Sequence, residues 1–218
     1  MAFGSRDLSQ EWRSHSFFYL YALIGTCAVF GVAGLYAGRR ADRLQKSRDR
    51  YEALSNLDPV TRLQNARAFR NRYRRAMEHA ANFREPISLL LVDVDDLKRI
   101  NERWGHSVGS AALRHVAEIL KESKREEDLA ARWGGDEFVV LMPGADPTAA
   151  GRLAQTILER VRAEGLPHAG AVSPLTVTIG IAGGTAPGED LFELADRALF
   201  EGKRAGRDRF SIAGARTS

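Results

Sequence analysis

Arg132-Trp133-Gly134-Gly135-Asp136-Glu137-Phe138 sets two carboxylates directly after two glycines. Glycine has no Cβ to hold another group away, so a turn at Gly134 and Gly135 lets backbone lie close over phosphates. Asp136 and Glu137 add hard oxygen donors. A plain hairpin carrying solvated acids has the same composition. A second acidic pair, Asp93 and Asp95, closes the apolar run ISLLLVDVD at 87–95. A buried carboxylate there would cost on the order of several kcal/mol unless a cation or water compensates it. Hard oxygens on small polar turns suit Mg²⁺ bound together with substrate phosphates. Lys203 and Arg207, four apart, are spaced to share a helical face and hold anionic oxygens; a solvated basic face has the same spacing.

These groups need a scaffold that brings sheet edges and helix ends together. The run at 87–95 suits a buried strand delivering acids to an edge. LAARW and DEFVVLM flank the glycines as two strands of a hairpin. Residues 65–83, two stretches after Asp95, 147–164 and 189–205 are predicted helical, and Leu113, Val116, Ala117 and Leu120 mark a core stripe. LTVTIGIA within 173–183 and DRFSIA complete the strands. The class is α+β: a mixed, largely antiparallel sheet flanked by helices.

The amino end differs from this domain. FFYLYALIGTCAVFGVAGLYA, 17–37, has no charge and is long enough to span a bilayer core of roughly 30 Å. Aromatic rings crowd its ends, and six Lys or Arg follow between Arg39 and Arg50, which orients the rest of the chain to the cytoplasm. One transmembrane helix is therefore expected at 17–37. Residues 1–16 form an extracytoplasmic tail, 38–56 a juxtamembrane helical linker and 57–213 the α+β domain, with 214–218 as a tail. Leu44, Tyr51 and Leu54 hint at a short two-helix seam. The basic run is explained by topology and anionic lipid, so no nucleic-acid partner is expected. Net charge is +4, and the single cysteine, Cys27, excludes an internal disulfide and reads as a small packing residue.

DPVTRLQNARAF, VDVDDLKRINERWGHSVG, RWGGDEF, TVTIGIA and ADRALFEGKRAGRDRF, in that order, closely resemble the GGDEF domains of diguanylate cyclases over about 57–213. The resemblance implies a palm-like, nucleotidyl-cyclase-like fold. It implies a homodimer in which each subunit holds one triphosphate and two triphosphates condense to a cyclic dinucleotide. Asp93, the carbonyl of Val94, Asp136 and Glu137 are implied ligands of two Mg²⁺, with Mn²⁺ as a substitute, and Asp136 and Glu137 are implied catalytic residues. Lys98, Lys203 and Arg207 match phosphate contacts, and Gly134 and Gly135 match the turn over the phosphates. Asn101 matches a base-contacting amide, with Leu97 and His106 in the same pocket wall; for His106 a structural role and a direct contact both stand. Arg125 and Asp128 match an inhibitory product site, although a charged helix-end turn has the same residues. The family's usual glycine is Arg62 here, and a common arginine is Ala66, which puts local packing in question.

Ser110 stands where the family usually has an aspartate that reads guanine. A carboxylate accepts from guanine N1–H and the exocyclic amine but opposes adenine N1. A hydroxyl can rotate to accept from guanine or donate to adenine. Losing charge-assisted bonds of about 1.5 to 3 kcal/mol relaxes the choice by roughly ten- to hundred-fold. In this the chain resembles the hybrid promiscuous (Hypr) subset, which implies GTP and ATP as substrates and 3′,3′-cyclic GMP-AMP beside cyclic di-GMP. A bland first-turn hydrogen bond for Ser110, with guanine enforced elsewhere, also stands. An enzyme at the bacterial inner membrane is the leading expectation. A cyclic-dinucleotide receptor without turnover is the second, and a polymerase palm is disfavoured because fingers and thumb do not fit.

Overall fold

The computed structural model describes residues 20, 21, 23–27, 30, 31, 33–36, 38–40, 56–168, 171–184 and 190–214. The chain divides into two compact units, Met1–Leu54 and Ser55–Ser218. In the first, the described residues between 20 and 40 are helical, with Leu23, Ile24, Phe30 and Leu35 exposed. Cys27 is exposed, so it does not pack inside the chain as its apolar neighbours suggested. Among the described residues no helix is long and apolar enough to cross a membrane. The tail 1–16, most of the linker 38–56 with its seam, and residues 215–218 lie outside the described residues.

The second unit is an α+β domain. Its strands are β1 (Gln64–Asn65), β2 (Ile87–Val94), β3 (Leu129–Arg132), β4 (Glu137–Pro143), β5 (Leu166–His168), β6 (Ala171–Ser173), β7 (Val177–Gly184) and β8 (Phe210–Ile212). Its helices are α1 (Ala66–Phe83), α2 (Leu97–Trp104), α3 (His106–Ser123), α4 (Pro147–Glu164) and α5 (Leu191–Arg204). The main sheet runs β1-β3-β4-β2-β7-β8. Its three central pairings are antiparallel and its two outer ones parallel. The expected strands and helices are all present. The two-residue β1 and the separate β5–β6 hairpin are additions, too short to show an alternating pattern.

Every residue of β2 is buried because helices cover both faces of the sheet. Leu90, Val92 and Val94 join Val116, Leu120 and Ile157 on one face. Leu89 and Leu91 join Phe69 and Leu199 on the other. Gly180 allows the closest of these approaches: a Cβ there would overlap the Ala195 carbonyl and the Leu199 backbone nitrogen, so α5 lies directly on β7. Side-chain caps fix the helix starts, with Asn65 accepting from Ala68 N–H at 2.9 Å and Asp146 from Ala149 N–H at 2.7 Å.

Arg62 occupies the position where glycine was expected, and it keeps a left-handed backbone, φ 61°. The turn closes through Arg62 N–H to the Asp58 carbonyl at 2.9 Å and Asp58 N–H to the Leu63 carbonyl at 2.8 Å. Its side chain is exposed, so the departure costs backbone strain of about 1 to 2 kcal/mol rather than core packing.

Candidate active site

The ends of β2 and β4 carry the acids. Asp93 lies opposite Glu137 in the ladder, and Val94 N–H donates to the Asp136 carbonyl at 3.0 Å. The intervening turn closes where Trp133 N–H, at 2.8 Å, and Gly134 N–H, at 3.2 Å, both donate to the Glu137 carbonyl. The Arg132 guanidinium grips this turn from behind, donating to the Gly134 carbonyl at 3.1 Å and the Gly135 carbonyl at 2.6 Å. Its other edge donates to both oxygens of Asp58, at 3.1 and 3.3 Å. Burial alone would raise the Asp58 carboxyl. Hydrogen bonds from the Thr61 N–H and hydroxyl and from Arg132 outweigh it and hold the group below its usual range.

The two strand-end acids have different partners. Asp93 is buried and pairs with Lys203 Nζ at 2.7 Å. Burial pushes its carboxyl up to about 6, with Lys203 pulling it down and the charges of Asp136 and Asp95 pushing it up. Asp95, expected to need a cation or water, is satisfied within the protein. It accepts from the Thr178 hydroxyl at 2.7 Å, the Thr176 hydroxyl at 2.8 Å and Asp208 N–H at 3.2 Å. Asp95 is thus fully partnered within the protein, whereas Asp93 is paired with a single side chain, Lys203.

A cavity of about 590 Å³ opens beside the turn. Leu97, Lys98, Asn101, His106 and Ser110 line it from α2 and α3, and Gly135 and Asp136 line it from the hairpin. All the residues assigned to base reading therefore share one wall. Arg132, Glu102, Gly109 and Leu113 complete the lining without having been given a role there. Gly109 has a specific purpose: a Cβ would overlap the amide oxygen of Asn101 and come within 2.8 Å of its Cγ. A glycine in the first turn of α3, at a position where alanine is the better helix former by up to about 1 kcal/mol, was the signal for that contact.

Glu137 and Lys203 line a neighbouring cavity of about 480 Å³. Glu137 folds toward Gly134, whose Cβ, if present, would lie 2.8 Å from its Oε2. Among the described residues no group of three or more His, Cys, Asp or Glu is gathered to hold a metal, so the acids do not form a closed cage. Two carboxylates near each other beside a backbone carbonyl do fit Mg²⁺ that takes its remaining oxygens from phosphates and water. Arg207 corrects the helical-face expectation. Helix α5 ends at Arg204, and Arg207 sits beyond it in a left-handed loop residue, φ 62°, with Nε 3.9 Å from Asp96. Gly206, at φ 112°, makes that turn out of the helix.

Arg125 and Asp128 lie apart from both cavities, on the turn between α3 and β3. The guanidinium donates to both carboxylate oxygens, at 2.7 and 3.3 Å, with Asp128 fully buried and Arg125 still partly exposed. The pairing of these two residues is thus preformed.

Comparison with known proteins agrees with this fold. Residues 55–209 match the family described as diguanylate cyclase, GGDEF domain, and the chain belongs to that family. It is similar to the diguanylate cyclase DosC of Escherichia coli, 36% identical over 159 residues, covering 72% of this chain and 35% of DosC. The diguanylate cyclase DgcP of Pseudomonas aeruginosa is 40% identical over 162 residues, covering 72% of this chain and 24% of DgcP. The chain thus spans about a third or less of the length of these curated relatives. Among solved structures, the coiled coil and GGDEF domain of DgcB from Caulobacter crescentus, in complex with c-di-GMP, aligns with a TM-score of 0.70 at 28% identity. It covers 81% of this chain and 95% of that one.

Proposed function

We propose that the chain is a membrane-anchored cyclic dinucleotide synthase that condenses GTP, and ATP with it, to cyclic di-GMP and 3′,3′-cyclic GMP-AMP, releasing pyrophosphate. The observation that carries this reading is a single cavity that joins a base-reading wall of Asn101 and Ser110 to a phosphate-side turn of Gly135 and Asp136. Asn101 and Ser110 orient the base, and the Gly134–Gly135 turn lies over the phosphates. Lys98, Lys203 and Arg207 balance triphosphate charge. Asp136, at the cavity edge, accepts the proton of the attacking 3′-hydroxyl. Asp93, the Val94 carbonyl, Asp136 and Glu137 would hold Mg²⁺, which when bound stabilises charge on the attacking and leaving oxygens of an in-line displacement. One cavity takes one triphosphate, so condensation needs two copies of the chain face to face.

The exposed apolar side chains of the helical residues between 20 and 36, and the absence of charge in 17–37, support anchorage at a bacterial inner membrane with the cyclase domain in the cytoplasm. The exposed Arg125 guanidinium supports binding of the product at this turn once it exchanges its contacts with Asp128 for bidentate contacts to the product, with inhibition following if product binds only one arrangement of subunits. The names of the relatives favour a second reading, a guanine-specific cyclase making cyclic di-GMP alone. Product analysis with Mg²⁺, GTP and ATP together separates the two. Mixed product that collapses to cyclic di-GMP in Ser110→Asp is expected. Cyclic di-GMP alone in both proteins would leave the guanine-specific reading.

A further inference from the structure

The loop that carries Arg207 is held by a group on a different helix. Arg207 and Asp208 are consecutive non-glycine residues in the left-handed region, φ 62° and 50°. Such a pair persists only where the surroundings enforce it. Asp208 is held from three directions. Arg162, in the last turn of α4, donates from Nε to both carboxylate oxygens at 2.8 Å, and from Nη2 to the Asp208 carbonyl at 2.6 Å. Asp208 N–H donates to Asp95, which Thr176 and Thr178 fix in turn.

We propose that Arg162 and Asp208 are positioning residues: their contact locks the left-handed loop so that Arg207 is presented to the triphosphate tail. The inference rests on the reading of Arg207 as a phosphate contact. Nothing in the chain's spacing announces it, because Arg162 precedes Asp208 by 46 residues and belongs to a helix with no other part in the site. A surface ion pair in water contributes little by itself. This one differs because a donor also grips the backbone carbonyl of the strained residue, so losing it frees the loop rather than only a charge.

The test measures binding of a non-hydrolysable α,β-methylene GTP analogue, and of GMP, to the full chain carrying Arg162→Ala, Asp208→Ala, Asp208→Asn or Arg207→Ala. Arg162→Ala and Asp208→Ala should weaken the analogue on the order of tenfold, the worth of about one charge-assisted hydrogen bond. GMP binding and the thermal midpoint should hold, and KM should rise more than kcat falls. Asp208→Asn should recover most of the loss, since asparagine tolerates the left-handed region and keeps an acceptor oxygen. Unchanged analogue affinity in Arg162→Ala, or an equal loss of GMP affinity, would overturn the proposal. Arg207→Ala binding the analogue as well as the native chain does would instead remove the phosphate role of Arg207, a failure of the underlying reading visible without touching Arg162.

Discussion

Gly109→Ala tests the base-contacting role proposed for Asn101. The added methyl would overlap the Asn101 amide oxygen and crowd its Cγ at 2.8 Å. Asn101 has two side-chain torsions and stands at the cavity wall, so the amide can swing aside while helices α2 and α3 hold their places. Alanine gains about 1 kcal/mol of helix propensity over glycine, which offsets part of a crowding cost of roughly 1 to 3 kcal/mol. Stability should therefore change little. The base contact should not survive: one neutral hydrogen bond is worth about 0.5 to 1.5 kcal/mol, or roughly two- to twelve-fold in KM for GTP. The assay is a double-mutant cycle in KM with Asn101→Ala. Each single change should raise KM by a similar factor, and the double variant should be no worse than either, because both remove the same contact. Wild-type KM in Gly109→Ala, or losses that multiply in the double variant, would refute the reasoning.

Three further outcomes follow from the fold. Arg62→Gly should stabilise the domain by about 0.5 to 1 kcal/mol, since it removes left-handed strain at an exposed site, with a thermal shift of about 1 to 4 °C to check it. Asp58→Asn should cost stability above about pH 4, the unfolded carboxylate's pKa, and progressively less below it. The native Asp58 is held under its usual range, so its contribution is present above that pH and is lost as pH falls through the folded value; urea midpoints at pH 7 and pH 3 compare the two. Gly180→Ala should destabilise by roughly 1 to 3 kcal/mol or more, because its Cβ meets backbone atoms of α5 that cannot turn aside, and urea unfolding reads the loss.

Much of the second unit was legible because its signals are local. The unbroken apolar run at 87–95 is the record of a strand covered on both faces, and the helix 147–164 announces itself with Asp146 and Pro147. The Gly-Gly-Asp-Glu turn was readable for the same reason. What escaped were contacts between distant segments. Asp58 and Arg132, 74 residues apart, hold the glycine turn, and each alone reads as a surface charge. Asp93 and Asp95 are indistinguishable in a run of alternating acids. Only the sheet's pairing puts Thr176 and Thr178 against Asp95 and leaves Asp93 to Lys203. Arg207 was placed on a helix because four-residue spacing is a helical signal, yet Gly206 had already turned the chain away.

The most direct test of the central claim is pyrophosphate release, measured together with cyclic dinucleotide formation, by the purified full chain given Mg²⁺, GTP and ATP. Coupled appearance of both products, lost in Asp93→Asn and Asp136→Asn while each variant keeps its fold, is the predicted result. Tight binding of cyclic dinucleotide at Arg125 and Asp128, with no pyrophosphate from a dimeric preparation, would contradict it.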